Sequence, residues 1–273
     1  MFDIDKYKEI WQTISRNKMR SFLTGFGVSW GIFLFVVMFG AGTGMQKGLT
    51  DTLGENISNS FFMRAGRTTM PYKGFNANRL WNISNADLSL IMQTIPEVKY
   101  LSGMLYNNAG KVAHSDKSGS YTFMGVNPDY FKIEIIPLAG GRTFNRIDMD
   151  EKRKVCVIGK RVREELFEAD ENPVGQQLLI NGIAYYVAGI LESSETSFIG
   201  RPDLSVFIPL TTMQQILNAG DVIHMFMGVF APNIDIALVE KKVQTLLKKQ
   251  HSIAPEDNDA MVSLNLHDYF MMF

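Results

Sequence analysis

The chain has 273 residues, with 27 Lys and Arg against 28 Asp and Glu and a net charge of -1. A balance this close to neutral, with no basic tract, excludes the electrostatic footprint of a nucleic-acid binder. The single cysteine, Cys156, excludes a disulfide framework.

In chain order, residues 1–20 read as a cytoplasmic amphipathic helix lying against a membrane. Ile4, Tyr7, Trp11 and Ile14 recur at three- and four-residue steps, Ile10 broadens that face, and Lys6, Lys8 and Glu9 fall on or near the other. Arg16, Lys18 and Arg20 then crowd the edge of the next segment, where basic residues hold that end in the cytoplasm. Residues 21–46 form a run of 26 residues without a charge. Roughly 20 apolar residues at 1.5 Å rise cross a hydrocarbon core, so this run is a transmembrane helix and lipid is its surroundings. It is too long for a signal peptide and is not followed by a tidy small-residue cleavage site. Gly27 and Gly31, and again Gly40 and Gly44, have the spacing that lets helix backbones approach; Gly27, Gly31 and Gly42 share one face and are assigned to helix packing. Leu49, Leu53 and Ile57 continue a four-residue apolar step, which predicts a helical stalk over 47–58.

The remainder carries no second uncharged run near 20 residues and is long enough to bury a core. A strand is expected at 61–64, a Gly/Pro/Asn-rich loop at 66–82, and a helix opened by a capping box from Ser84 to Asp87. Leu88, Ile91, Met92 and Ile95 form the buried face of that helix, Pro96 stops it, and 98–105 is the next strand. From there to Pro209 the pattern is β-rich, with strands at 110–114, 120–126, 154–158, 177–180, 184–191 and 204–208 and one short helix at 160–167. A strand at 222–230, a helix at 234–249 on Ala237, Val239, Val243, Leu246 and Leu247, and a strand at 260–264 complete a second β-α-β unit. Two such units that pair make a ferredoxin-like split βαβ sheet. Asn172, Pro173 and Gly175 set a structural turn, with Gly175 at positive φ. The apolar residues after Asp268 are expected to begin a further helix that the chain cuts short.

Candidates for chemistry are few. His114, His224, His251 and His267 lie apart without metal-ligand spacing. Asp148, Asp150 and Glu151 read as a solvated acidic turn beside Arg153, and no phosphate loop or nucleophile elbow occurs. No catalytic, cofactor-binding or metal-binding residue is assigned, and Cys156 reads as a buried small hydrophobe.

The order of parts resembles the permeases of the MacB/FtsX-like class of ABC transporters, the type VII or mechanotransmission family. Asn17–Lys18–Met19–Arg20–Ser21 with Leu23 and Thr24 resembles the family's N-K-x-R-[ST]-x-L-T before the span. Gly125–Val126 with Pro128, Tyr130 and Phe131 resembles G-v-x-p-x-y-f; Leu138, Gly141, Arg142 and Phe144 with Asp148 resemble l-x-x-G-R-x-f…D. Asn172–Pro173–Val174–Gly175 with Val187, Gly189 and Ile190, and then Val206–Phe207–Ile208–Pro209–Leu210, resemble two further segments. The resemblance implies an α+β membrane protein with one N-terminal transmembrane helix and helical stalk. Its extracytoplasmic domain would comprise a Porter-like α/β subdomain (59–105 and 210–267) and an inserted, β-rich Sabre-like subdomain (106–209). Residues 268–273 would open a truncated second stalk or transmembrane helix. It further implies a bacterial inner-membrane location with the large domain in the periplasm, and a homodimer or a related permease as second subunit. It implies a cytoplasmic ABC ATPase on a separate chain, and in some relatives a periplasmic adaptor and outer-membrane channel. Export of peptides or drugs and handling of lipoproteins both fit. The alternative is a singly membrane-anchored binding or scaffold protein.

Overall fold

The structure, a computed structural model, describes residues 18–58, 60–192, 200–231 and 234–265, with the backbone alone at 45–58, 108–109 and 265. The expected helix over 1–20, for its part before Lys18, and the segment 268–273 lie outside the described residues. The chain divides into two compact units, 1–51 and 52–273.

Helix α1 runs Lys18–Ser58 and contains one stretch, Lys18–Gly44, long and apolar enough to cross a membrane by length and composition. Apart from half-buried Ser21, every residue of that stretch is exposed. Two of its hydroxyls bond back to the helix: Thr24 donates to the Arg20 carbonyl at 2.9 Å and Thr43 to the Phe39 carbonyl at 3.0 Å. Phe22, Phe26, Trp30 and Phe33 form a ladder of ring contacts along one side, with centroids 5.5–6.1 Å apart.

In the second unit the two β-α-β segments pair as expected. Strands β1 (Ser60–Ala65), β3 (Val98–His114), β11 (Met225–Phe230) and β12 (Met261–Asn265) lie in the order β12-β1-β11-β3, all antiparallel. This is the split βαβ plait. Alternation along β1 sends Phe61 and Met63 to the face covered by helices α2 (Asn85–Thr94) and α7 (Ile236–Gln250), and Phe62 to the other. Leu88 and Ile91 of α2 and Val239, Val243 and Leu247 of α7 complete that layer. Ser84 caps α2 in the expected box with Asp87, and Asp235 caps α7 by accepting from the Leu238 N–H at 3.2 Å. Met92, expected on the buried face, is 42% exposed, and Ala237 is exposed as well. Each lies off the stripe that its helix turns toward the sheet.

The β-rich part differs more from expectation. The strands expected at 98–105 and 110–114 are one strand, β3, with a register shift between Asn107 and Gly110. β3 turns into β4 (Lys117–Val126), which lies parallel to β9 (Ser205–Pro209); β9 pairs with β6 (Val155–Ile158), and β6 with β8 (Ile183–Leu191). β7 (Gln177–Ile180) pairs with β8 and returns to β3 through Val112↔Ile180 and Ala113↔Leu179. The pairings β3-β4-β9-β6-β8-β7-β3 close a ring, and β5 (Leu138–Gly141) adds to the free side of β8. Residues from the plait and the ring share two cores. The first joins Phe61 and Ile91 to Val112, Tyr185 and Ile208; the second joins Phe62 and Met227 to Tyr130, Phe131 and Phe207.

Three short helices were not expected: α3 (Tyr130–Ile133), α4 (Arg146–Asp150) and α6 (Leu210–Ile216). Helix α5 (Lys160–Leu166) ends one residue earlier than expected, with Phe167 as its cap. The strand expected at 222–230 breaks at His224: β10 (Val222–Ile223) pairs instead with β2 (Ile83–Ser84).

Candidate functional site

The residues singled out in the sequence fall in three places. In α1, Lys18 and Arg20 are exposed at the helix start, and Arg16 lies outside the described residues. A Cβ added at Gly27, Gly31 or Gly42 would meet nothing within 4 Å. Nothing among the described residues therefore requires glycine at these positions, and the face they form is open to another helix. Leu49, Leu53 and Ile57 fall in the continuous helical backbone of α1, but their side chains lie outside what is described.

The turn at Asn172, Pro173 and Gly175 enters β7. Asn172 Oδ1 accepts from the Val174 N–H at 3.1 Å, Gly175 takes φ +88°, and the Gly175 N–H donates to the Val187 carbonyl at 2.8 Å. The turn thus ties the start of β7 to β8, with Asn172 and Gly175 exposed and Pro173 buried.

Sequence reasoning missed the corner formed by Gly141, Arg142 and Asp148. Asp148 is not in a solvated turn: it is fully buried. Arg142 grips it with two nitrogens at 2.6 and 3.1 Å, and Asp148 and Asn145 form a reciprocal capping box at the start of α4. Burial pushes the Asp148 carboxyl up, but the bonds from Arg142 and the Asn145 N–H outweigh it, so its pKa lies below the ordinary carboxylate value. The signal was present, because Asn145-x-x-Asp148 has the spacing recognised at Ser84 and Asp87. Gly141 sits at φ +77° with the Ala188 carbonyl where a side chain would go. The corner joins β5 to α4 and is structural.

A second polar knot binds α2 to α7. His251 Nε2 lies 2.9 Å from both oxygens of Asp87, and its ring packs at a 43° tilt against Trp81 with centroids 4.7 Å apart. The Trp81 N–H donates to the Ala260 carbonyl, and Arg79 Nη2 donates to the carbonyls of His251 and Ser252 at 2.7 and 3.2 Å. Here too burial raises the Asp87 pKa and bonds from His251 and Ser84 bring it net below the ordinary value. His114 bonds Glu171 and the Gln177 carbonyl, His224 accepts from the Tyr106 N–H, and His267 lies outside the described residues. Among the described residues no group of three His, Cys, Asp or Glu could hold a metal. Cys156 is buried in β6, and burial pushes its thiol pKa up. Among the described residues the hollows include an apolar one of about 400 Å³ beside Phe62, Met225, Val262 and Leu264, and a groove of about 470 Å³ on α7 lined by Leu238, Lys241, Lys242 and Lys249. Neither brings a nucleophile to a base.

Comparison with known proteins agrees with this picture. The model of the MacB-like periplasmic core domain family matches residues 21–246. The macrolide export ATP-binding/permease protein MacB of Chlorobium phaeobacteroides is 28% identical over 261 residues, 95% of this chain and 39% of that protein. Its namesake in Vibrio parahaemolyticus is 25% identical, over 91% of this chain and 37% of that protein. The chain thus spans about two fifths of the length of the curated relatives it matches. Among solved structures, the periplasmic region of MacB from Actinobacillus actinomycetemcomitans superposes with a TM-score of 0.64 at 18% identity, covering 82% of this chain and 97% of that one. The extracellular domain of the noncanonical ABC-type transporter YknZ from Gram-positive bacteria gives 0.61 at 16% identity, covering 76% of this chain and 100% of that one.

Proposed function

The chain belongs to the MacB-like periplasmic core domain family of ABC transporter permeases, and from that premise we propose that it is a non-catalytic permease subunit that transmits the work of a separate cytoplasmic ATPase outward. The carrying observation is the continuity of α1. One helix runs from the apolar stretch to Ser58, and the next strand, β1, begins at Ser60 in the middle of the plait, between β12 and β11. A displacement at one end of a helix that continues in the chain almost to a central strand can be passed on to that strand.

In this reading Arg16, Lys18 and Arg20 fix the cytoplasmic end in a bacterial inner membrane, and the second unit lies in the periplasm. Gly27, Gly31 and Gly42 pack against a second permease, identical or related. Leu49, Leu53 and Ile57 form the stalk stripe, and Asn172, Pro173 and Gly175 serve as a structural turn. The Porter-like part is 59–105 with 210–267, and the Sabre-like part is 106–209. The relatives' name, macrolide export ATP-binding/permease protein, supports export of peptides or drugs as the transported class, with handling of lipoproteins as the other branch. A periplasmic adaptor and outer-membrane channel complete the export branch.

The test is purification of the full-length protein from its own membranes in mild detergent, with cysteines at Gly27 and Gly31. The reading expects an ABC ATPase chain in stoichiometric amount and a crosslinked permease dimer. Recovery of a monomer with no ATPase would contradict it.

A further inference from the structure

The stretch 66–82, expected as a loop, is an ordered hairpin. Thr68 and Arg79 and then Tyr72 and Phe75 are joined by backbone bonds of 2.9–3.1 Å, and Arg67 and Leu80 form a bridge at the base. Its tip, Lys73–Gly74, takes φ of +46° and +84°, the two consecutive left-handed residues of a tight type I′ turn. The stem is tied to the domain by Asp257, which accepts from the Thr69 N–H at 2.6 Å, the Thr69 hydroxyl at 2.8 Å and the Met70 N–H at 3.1 Å. The Arg79 guanidinium lies over the Phe75 ring at 4.2 Å while also holding the 251–252 carbonyls.

Trp81 buries its ring in the core at the base of the stem, but the other anchors are polar or backbone, and the large apolar side chains nearer the tip are left outside. Met70 is 42% exposed, Phe75 47% and Leu80 65%. The hairpin also carries Arg67, Lys73 and Arg79 and no carboxylate of its own. An exposed loop gains no stability from Phe or Met at such positions, whereas a rigid loop bearing aromatic and cationic groups binds with little ordering cost.

We propose that the 66–82 hairpin is a docking element for a protein partner on the domain's side of the membrane, one that offers an apolar socket rimmed by carboxylates. Phe75, Met70 and Leu80 fill the socket, and Lys73 and Arg67 meet the rim. The inference rests on the hairpin alone and would survive failure to find an ATPase.

The test uses the full-length protein in its own cells, with a photo-crosslinking residue at Met70 and, as control, at Leu217, which is 41% exposed elsewhere on the domain. A discrete adduct with one other protein is expected at 70 and not at 217. It should fall about tenfold in the Phe75→Ala and Lys73→Glu variants. A cyclised peptide of residues 67–80 should compete it away, and the same peptide carrying Phe75→Ala should not. Both variants should keep the parent Tm to within about 2 °C, as exposed positions do. An adduct with lipid or with a second copy of this chain would overturn the proposal. So would an adduct indifferent to Phe75→Ala, no adduct at all, or a Tm drop as large as that of a core truncation.

Discussion

The plait and the ring solve the same problem in opposite ways. In the ring each strand from β3 through β4, β9, β6, β8 and β7 finds partners on both sides, so its backbone groups are consumed internally. The plait stays open: β12 pairs with β1 alone, and Val262 and Leu264 on it are 42% and 40% exposed. A closed ring offers an edge only where β5 adds to β8, whereas an open sheet keeps one along its whole outer strand. The open part is also the part joined directly to α1 and the part that carries the exposed hairpin. The comparison teaches that the pairing is most complete in the inserted β-rich region, and that the open strand edge and the exposed hairpin belong to the part that follows α1 in the chain.

The sharpest way to break that comparison is to weaken the ring. Phe207 in β9 is fully buried against Tyr130 and Phe131, with ring centroids 5.3 and 5.7 Å away. Phe207→Ala should cost about 3–5 kcal/mol in chemical denaturation. Because the two regions share cores, the loss should appear in one unfolding transition of the domain; two separate transitions would show that plait and ring fold independently.

Asp148→Ala at the β5–α4 corner comes next, at about 2 kcal/mol, less than a fully buried pair because Arg142 keeps 46% of its side chain in water. The pH dependence follows from the folded-state values. Asp148, Asp87 and Asp257 are all held below the ordinary carboxylate pKa. Their stabilisation is therefore complete above about pH 4 and is lost as pH falls through the depressed values. Acid titration of Asp148→Ala should show a shallower loss than the parent chain.

Two smaller changes should go the other way. The Tyr185 hydroxyl is buried without a hydrogen-bond partner, so Tyr185→Phe should be neutral or stabilise by about 1 kcal/mol. Ile135 is a β-branched residue at φ +49° with half its surface exposed. Ile135→Asn should raise stability by about 1 kcal/mol, read as a rise in Tm of a few degrees at most.

How much of this could be read from the sequence follows from the range of the forces involved. The long apolar helix was legible because 26 uncharged residues leave little choice. The plait was legible because the α2 cap and the stripes of both helices are local. The strand break at Asn107 was misread as a gap, since a register shift removes the alternation but not the pairing. The closure of β7 on β3 depends on Val112 meeting Ile180, a contact with no local trace. The hairpin looked like a plain loop because Asp257, which holds it, lies 188 residues from Thr69. Asp148 was misjudged because burial of a carboxylate depends on where Arg142 comes to lie. The glycine face of α1 is legible as a pattern, and among the described residues nothing packs against it.

The central claim is that α1 crosses the membrane once with its basic end inside and the second unit outside. Lys249→Cys tests it directly, because Lys249 is exposed and the native Cys156 is fully buried and silent. In spheroplasts with an intact inner membrane, a membrane-impermeant maleimide should label the full-length variant to the same extent before and after permeabilisation. Labelling that appears only once the inner membrane is opened would contradict the account.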